Sequence, residues 1–281
     1  MTTLTAIAFL GGLSVLLAVI LVIANAKLKV YEDPRIEVVS DMLPGANCGA
    51  CGFPGCRAFA ERVVTGDQQP SGCPVGGVET ATYIANYLGV EPGSLVKKVA
   101  RLLCAGGINV AVQAGVYKGF ESCRAAALVS GGPKGCVYGC MGLGDCEVAC
   151  TFGAISMGPF GLPIVDYEKC TACNDCVEIC PKGLFELMPI NRHLVVQCKS
   201  LLEGDAALEL CQVACTGCGR CAADAPEGLI SMVNNLPVIN PDFANKETEI
   251  ATLRCPTNAI IWLEGQQFPE INRNFSRIEN G

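Results

Sequence analysis

The spacing of the cysteines constrains this chain more than any other feature of its sequence. Twenty cysteines occur in 281 residues, and many stand three to five positions apart, as in the run Cys170, Cys173, Cys176 and Cys180. Neighbours that close in sequence rarely form disulfides with one another, but they readily bind one metal centre. The only histidine is His193, which nearly excludes zinc sites of the mixed Cys/His type. We therefore expect iron–sulfur clusters held by thiolates.

The first cysteine group lies in the stretch Pro44-Gly45-Ala46-Asn47-Cys48-Gly49-Ala50-Cys51-Gly52-Phe53-Pro54-Gly55-Cys56, with Cys73-Pro74 further on. Glycines beside the cysteines let backbone N–H groups turn toward cluster sulfurs. Residues 57–64 are predicted to form a helix that returns the chain to Cys73. The predicted ligands of one [4Fe–4S] cluster are Cys48, Cys51, Cys56 and Cys73. A structural zinc site is the alternative, although the spacing is unlike a zinc ribbon.

A long internal repeat organises the rest of the chain. An offset of 75 residues, from Cys123 to Cys198, also aligns Cys136 with Cys211, Cys140 with Cys215, Cys146 with Cys221 and Cys180 with Cys255. The surrounding residues agree, since Gly153-Ala154-Ile155-Ser156-Met157 falls on Gly228-Leu229-Ile230-Ser231-Met232. The two halves are therefore predicted to be copies of one module.

The first copy contains a cysteine run that is typical of bacterial two-cluster ferredoxins, in which the fourth cysteine binds the other cluster. One cluster is therefore predicted to be held by Cys150, Cys170, Cys173 and Cys176, and its partner by Cys136, Cys140, Cys146 and Cys180. Leu143 stands where a standard run has a cysteine. We expect Cys136 to replace it.

The second copy retains one of these two sites. Its predicted ligands are Cys215, Cys218, Cys221 and Cys255. The counterparts of the other four ligands are Ala225, Asn245, Thr248 and Ala251, so all four are lost together. This correlated loss supports the crossed pairing of ligands, and the total is four [4Fe–4S] clusters.

Four cysteines remain without a role in this scheme: Cys104, Cys123, Cys198 and Cys211. Buried structural thiols are the simpler interpretation, because a free cysteine packs as a small hydrophobe. A further centre or a redox-active pair is the alternative. Cys211 also competes with Cys218 for its cluster, although Cys218 has the standard spacing.

Residues 1–26 carry no charged side chain and are long enough to cross a hydrocarbon core of about 30 Å. A cleaved signal peptide is the alternative, but no basic segment precedes the apolar run. Lys27 and Lys29 follow it, which places the remainder on the cytoplasmic side. A reducing compartment, which thiolates need, agrees with that orientation. Lys97, Lys98 and Arg101 are expected to form a small basic helical face. Such a face is more often simply solvated than a docking site, but it is the candidate if an acidic ferredoxin docks on this chain.

The expected fold class is α+β, with one transmembrane helix, a small Fe–S domain and two ferredoxin-like modules, the second degenerate. The predicted boundaries are 1–26 for the transmembrane helix, 27–85 for the N-terminal [4Fe–4S] domain, 86–122 for a connecting segment, 123–190 for the two-cluster module and 191–281 for the single-cluster module. The net charge of −7 argues against nucleic acid as a partner. No nucleotide or flavin motif and no catalytic residue is predicted, so the clusters carry the chemistry.

The order of these parts resembles the B subunit of the Rnf complex, the ion-translocating ferredoxin:NAD⁺ oxidoreductase of bacteria. The stretch GGPKGCVYGCMGLGDCEVACTFGAI is similar to the longer form of that protein, and the resemblance covers essentially the whole chain. It implies a protein of the bacterial cytoplasmic membrane that accepts electrons from soluble ferredoxin. It also implies relay toward NAD⁺ through other Rnf-type subunits, coupled to Na⁺ or H⁺ translocation, with the flavin, the NAD site and the ion channel in those partners. Longer relatives often have a complete second module, which this chain lacks.

Two other interpretations remain open on sequence grounds. An anchored polyferredoxin that serves a different membrane reductase has the same motifs. A zinc-bound scaffold without a redox role belongs to another class, and zinc without acid-labile sulfide is the observation that would establish it. Corrinoid iron–sulfur proteins share the N-terminal motif but lack the span and the ferredoxin copies.

Overall fold

The computed structural model describes residues 2–28, 32–94 and 96–268. The apolar N-terminus forms one helix, α1 (Thr2–Leu28), in which no residue of the stretch Ile7–Lys27 is buried. That stretch is long and apolar enough to cross a membrane. The predicted span is therefore a continuous helix from Thr2 onward, and its large apolar side chains between Ile7 and Ile23 are exposed. Met1 lies outside the described residues.

Three helices form a small bundle after α1. They are α2 (Pro34–Met42), α3 (Cys56–Thr65) and α4 (Gly77–Leu88), with a 3₁₀ turn at Pro70–Gly72. The Asp33 carboxylate caps α2 by accepting a hydrogen bond from the Arg35 backbone N–H at 2.9 Å. The core of the bundle consists of Val39, Leu43, Phe59, Ala60, Val63 and Ile84. The helix predicted over 57–64 lies within α3.

The two sequence copies have the same order of elements. After β1 (Lys98–Leu102), the first copy contains α5 (Cys123–Ala127), α6 (Asp145–Ala149), β2 (Ile155–Met157), β3 (Pro163–Val165), α7 (Asp175–Ile179) and β4 (Phe185–Pro189). The second contains β5 (Leu194–Val196), α8 (Gly204–Leu208), α9 (Arg220–Asp224), β6 (Ile230–Val233), β7 (Leu236–Ile239), α10 (Ile250–Leu253) and β8 (Ile260–Trp262). The starts of α6, β2, α7 and β4 precede those of α9, β6, α10 and β8 by the predicted 75 residues.

The strands pair only in twos, and each pair is antiparallel. The hairpins are β2 with β3 and β6 with β7, while β1 pairs with β4 and β5 pairs with β8. The β1–β4 register runs from Lys98 opposite Pro189 to Leu102 opposite Phe185. The segment predicted to connect the modules therefore contributes a strand that covers the first copy.

The prediction of a basic helical face at Lys97, Lys98 and Arg101 is wrong. Lys98 and Arg101 lie in β1, and Arg101 is only 1% exposed. Its guanidinium donates a hydrogen bond to the Ile190 carbonyl at 3.0 Å and lies over the ring of Tyr167. The adjacent Val99 and Ala100 are also buried, so pairing with β4 determines the conformation here. Arg101 is thus unavailable for docking a partner.

Candidate metal centres

Five cavities in the described structure are each lined by four cysteines, and together they account for all twenty. We number these sites as follows: site 1 contains Cys48, Cys51, Cys56 and Cys73; site 2 contains Cys123, Cys140, Cys146 and Cys180; site 3 contains Cys150, Cys170, Cys173 and Cys176; site 4 contains Cys215, Cys218, Cys221 and Cys255; site 5 contains Cys104, Cys136, Cys198 and Cys211. All twenty are free thiols. The empty space around each quartet, including open solvent at its mouth, amounts to 320–400 Å³.

Site 1 brings together the four cysteines that the sequence predicts. The loop that carries Cys48 and Cys51 is closed by Asn47, whose Oδ1 accepts a hydrogen bond from the Cys56 N–H at 2.9 Å. A Cβ on Gly55 would lie 2.9 Å from that same oxygen, so the close approach requires glycine here. The Gly76 N–H donates to Cys73 Sγ at 3.4 Å. The four sulfurs therefore line one cavity, and a backbone N–H donor points at one of them.

Site 3 also contains its four predicted cysteines. Between them, Ala172 and Asn174 adopt φ angles of 56° and 78°, which curls the loop around the cavity. Backbone N–H groups point at two of the sulfurs, from Ala154 to Cys150 Sγ at 3.3 Å and from Ala100 to Cys170 Sγ at 3.5 Å. Donors of this kind stabilise thiolate ligands and tune the potential of a bound cluster.

Site 4 contains the predicted cysteines of the second copy, and the counterpart of site 3 is filled with apolar side chains. Ala251 is buried in a core with Leu229 and Ile260, against which Phe243 packs. Glu247 anchors the same stretch, because its Oε2 accepts hydrogen bonds from the backbone N–H groups of residues 193 and 194 at 2.9 and 3.1 Å. The predicted loss of one site therefore coincides with repacking of its interior.

Site 2 corrects the sequence prediction at one position. The structure places Cys136 in site 5, and Cys123 lies with Cys140, Cys146 and Cys180 instead. The reason is Asp145, the first residue of α6. Its Oδ1 accepts a hydrogen bond from the Cys123 N–H at 2.9 Å, and its Oδ2 accepts from Ser122 Oγ at 2.9 Å and the Arg124 N–H at 3.1 Å. Asp145 thus fixes Cys123 beside the site.

Asp145→Ala is expected to weaken site 2 selectively. Hydrogen bonds to a charged acceptor contribute roughly 1.5–3 kcal/mol each, so the start of α5 should loosen and release Cys123. We expect one cluster to leave the variant at least tenfold faster than the others when a ferrous chelator is added, measured by absorbance. Asp145→Asn keeps one carbonyl acceptor and should give an intermediate rate. Release at the wild-type rate from the alanine variant would contradict this role.

The sequence left site 5 open, since a further centre was the alternative to buried structural thiols and its four cysteines were not grouped. Three of its cysteines had no predicted role, and Cys136 was assigned to site 2. One signal was present, because Cys136 and Cys211 are equivalent positions of the repeat and both line site 5. The other two cysteines come from segments beyond any local motif, since Cys104 follows β1 and Cys198 follows β5.

The chemistry of the five sites suits iron–sulfur clusters. Within the described ranges, no three histidine, cysteine or carboxylate side chains are arranged as ligands of a single ion. Each quartet surrounds open space, as a cluster of several atoms requires. Burial raises the pKa of the Cys146 and Cys176 thiols to about 12, so cluster binding must release protons. Bound iron supplies the positive charge that makes buried thiolates favourable.

Two family models match segments of this chain that carry cysteines. The Fe-S cluster family model matches residues 43–75, which contain site 1, and the 4Fe-4S binding domain model matches residues 163–186. The B subunit of the Na⁺-translocating ferredoxin:NAD⁺ oxidoreductase complex of Acetobacterium woodii is 42% identical over 254 residues, which are 90% of this chain and 76% of the relative. The B subunit of the ion-translocating oxidoreductase complex of Methanosarcina acetivorans is 38% identical, over 90% of this chain and 96% of the relative. The chain belongs to the family of Rnf complex B subunits.

A third member of this family is also similar over most of its length. The B subunit of the proton-translocating ferredoxin:NAD⁺ oxidoreductase complex of Clostridium ljungdahlii is 36% identical over 88% of both chains. As an Rnf B subunit, this chain is an iron–sulfur electron-transfer component of a multisubunit oxidoreductase complex. The family name and the apolar helix α1 together indicate a membrane anchor.

Proposed function

We propose that this Rnf B subunit accepts electrons from reduced ferredoxin and passes them, one at a time, to partner subunits that reduce NAD⁺ and translocate Na⁺ or H⁺. A [4Fe–4S] cluster supplies reversible one-electron chemistry when it is bound. The names of the Acetobacterium woodii and Clostridium ljungdahlii relatives support ferredoxin as the donor and NAD⁺ as the acceptor. The positive-inside tendency at Lys27 and Lys29 supports a cytoplasmic location for the sites.

This proposal rests on the fact that sites 2 and 3 take ligands from the same two helices. Cys146 and Cys150 lie at the two ends of α6 but belong to different sites, and so do Cys176 and Cys180 at α7. Each helix thus holds one ligand of each site, and the two ligands on a helix are about one helical turn apart, so sites 2 and 3 are neighbours. Such closely placed one-electron centres support a relay. The proposed module boundaries remain 123–190 and 191–281, with the added strand β1.

Replacing Cys173 with alanine tests the relay. Site 3 would lose a ligand, so the purified complex should contain about four fewer irons and lose one [4Fe–4S] signal in its EPR spectrum. Ferredoxin-dependent NAD⁺ reduction should fall at least tenfold, because one redox centre of the electron-transfer chain is missing. The matched control is Thr248→Ala, which changes the equivalent position of the second copy, where no cysteine is present.

Unchanged iron content in the Cys173→Ala variant would refute the assignment of site 3. Loss of iron with undiminished ferredoxin-dependent activity would place site 3 outside the relay. Equal losses in the Thr248→Ala control would show that the effect reflects folding instead of ligation.

A further inference from the structure

We infer that Cys104, Cys136, Cys198 and Cys211 bind a fifth [4Fe–4S] cluster, so that site 5 connects site 4 in the second copy to site 2 in the first. The inference rests on the proposed relay function and adds a centre to it. Four observations support the assignment.

First, backbone hydrogen bonds build site 5 from four separate segments. The Ala105 N–H donates to the Gln197 carbonyl at 3.0 Å, which ties the Cys104 segment to the Cys198 segment. The Val112 N–H donates to the Leu210 carbonyl at 2.9 Å, and the Gly135 N–H donates to the Val112 carbonyl at 2.8 Å. Every cysteine of the site is therefore adjacent to a residue that is bonded across to another segment. In the folded chain this framework brings the four sulfurs to one cavity.

Second, the backbone leaves room for a cluster where a side chain would intrude. A Cβ added to Gly106 would lie 3.0 Å from Cys211 Sγ and 3.7 Å from Cys104 Sγ. Both of these cysteines are buried. The cavity that the quartet lines has a volume of about 400 Å³, which matches or exceeds those of the four predicted sites. Site 5 thus has the same space and the same number of sulfurs as its neighbours.

Third, the repeat explains why one pair of equivalent cysteines has two different roles. Cys123 completes site 2 because that site has Leu143 in place of the standard cysteine. The second copy has Cys218 at the position of Leu143, so site 4 is complete without Cys198. Cys198 is then free to serve site 5. The twenty cysteines divide into five complete quartets, with none left over.

Fourth, site 5 adjoins the sites on either side of it. The backbone N–H of Cys140, in site 2, donates to Cys104 Sγ at 3.4 Å. Ala214 lines site 5 and directly precedes Cys215, a ligand of site 4. Cys140 and Cys215 are equivalent positions of the repeat. Site 5 therefore lies between sites 2 and 4, with a hydrogen bond to a ligand of site 2 and a lining residue next to a ligand of site 4.

A buried lysine distinguishes site 5 from the other four. Lys134 lines the cavity, is 6% exposed, and donates a hydrogen bond from its ammonium group to the Gly106 carbonyl. A positive charge in a poorly solvated site favours the more negative, reduced form of a cluster. In each transfer one electron leaves one site and arrives at the next, and reduced ferredoxin supplies it. Site 5 should therefore accept electrons at a higher potential than an otherwise similar site.

The test counts iron and acid-labile sulfide in the full-length protein, purified anaerobically in detergent. We expect about twenty irons in the wild type and about sixteen in Cys211→Ala, with the loss of one component in an EPR redox titration. The control is Val213→Ala, which changes a residue that lines the same cavity without a sulfur. Lys134→Met should keep all the iron and lower the midpoint potential of one component, and that component should be the one missing from Cys211→Ala.

The possible results distinguish failure of the fifth cluster from failure of the proposed relay function. A wild type with about sixteen irons and an unchanged count in Cys211→Ala would overturn the fifth cluster and leave the relay of four intact. One bound zinc in place of four irons would also overturn it. A wild type without iron would refute both. If Cys211→Ala proves too unstable to purify, the wild-type count and the Lys134→Met titration still decide the question.

Discussion

Deletion of residues 2–28 is expected to move this protein from the membrane fraction to the soluble fraction when it is produced without its partner subunits. The stretch Ile7–Lys27 is strongly apolar, and none of its residues is buried. Insertion favours a leucine, isoleucine, phenylalanine or valine by about 0.3–0.6 kcal/mol at the helix centre, so the 12 residues of these types in the stretch contribute about 4–7 kcal/mol. That free energy corresponds to a shift in partitioning of at least about a thousandfold. Ultracentrifugation of lysates, followed by quantification of the protein in each fraction, measures it.

The iron content of the truncated protein should equal that of the full-length protein. All five sites lie after residue 47, and no cysteine occurs in α1. The matched control is Gly11→Leu, because nothing lies within 4 Å of a Cβ added at Gly11 and the substitution keeps the helix apolar. It should remain in the membrane fraction. A truncated protein that stays in the membrane would show that another surface provides the attachment.

Local motifs in the sequence were sufficient to place most of the cysteines. Where ligands follow one another at short spacing, as in Cys170, Cys173 and Cys176, the loop conformation alone brings them to one cavity. The repeat also predicted the lost site, since four equivalent positions changed together. The structure brings these cysteines together because short spacing restricts the geometry of the backbone before any tertiary contact forms.

Tertiary contacts determined the positions that the sequence did not predict. Cys136 is nearer than Cys123 to the rest of site 2 along the chain, yet the hydrogen bond from the Cys123 N–H to Asp145 decides which of them joins it. Cys104 reaches site 5 only because its neighbour bonds to the segment before Cys198. The prediction for Arg101 failed for the same reason. The spacing of the basic residues is compatible with a helix, but pairing with β4 makes this segment a strand. Contacts of this kind leave no signature in local spacing.

Removal of iron is expected to unfold both sequence copies. Their strands contain three to five residues and pair only in twos, and their helices contain four or five residues. Neither a two-stranded sheet nor a helix of that length is stable alone in water. The core of the first copy includes Cys104, Cys146, Cys170 and Cys176, so the cluster ligands are themselves part of the packed interior. A bound metal centre contributes on the order of 10 kcal/mol to folding in small metal-binding domains, which is comparable to the whole stability of an ordinary domain.

Anaerobic chelation followed by limited proteolysis provides the measurement. We expect cleavage within residues 123–268 to become at least a hundredfold faster once iron is removed. The bundle of α2, α3 and α4 is the internal control, because its helices have 9 to 12 residues and bury Phe59, Val63 and Ile84. It should keep more of its protection although site 1 also loses iron. Protection of the two copies that survives chelation would mean that side-chain packing, and not ligation, holds their short strands together.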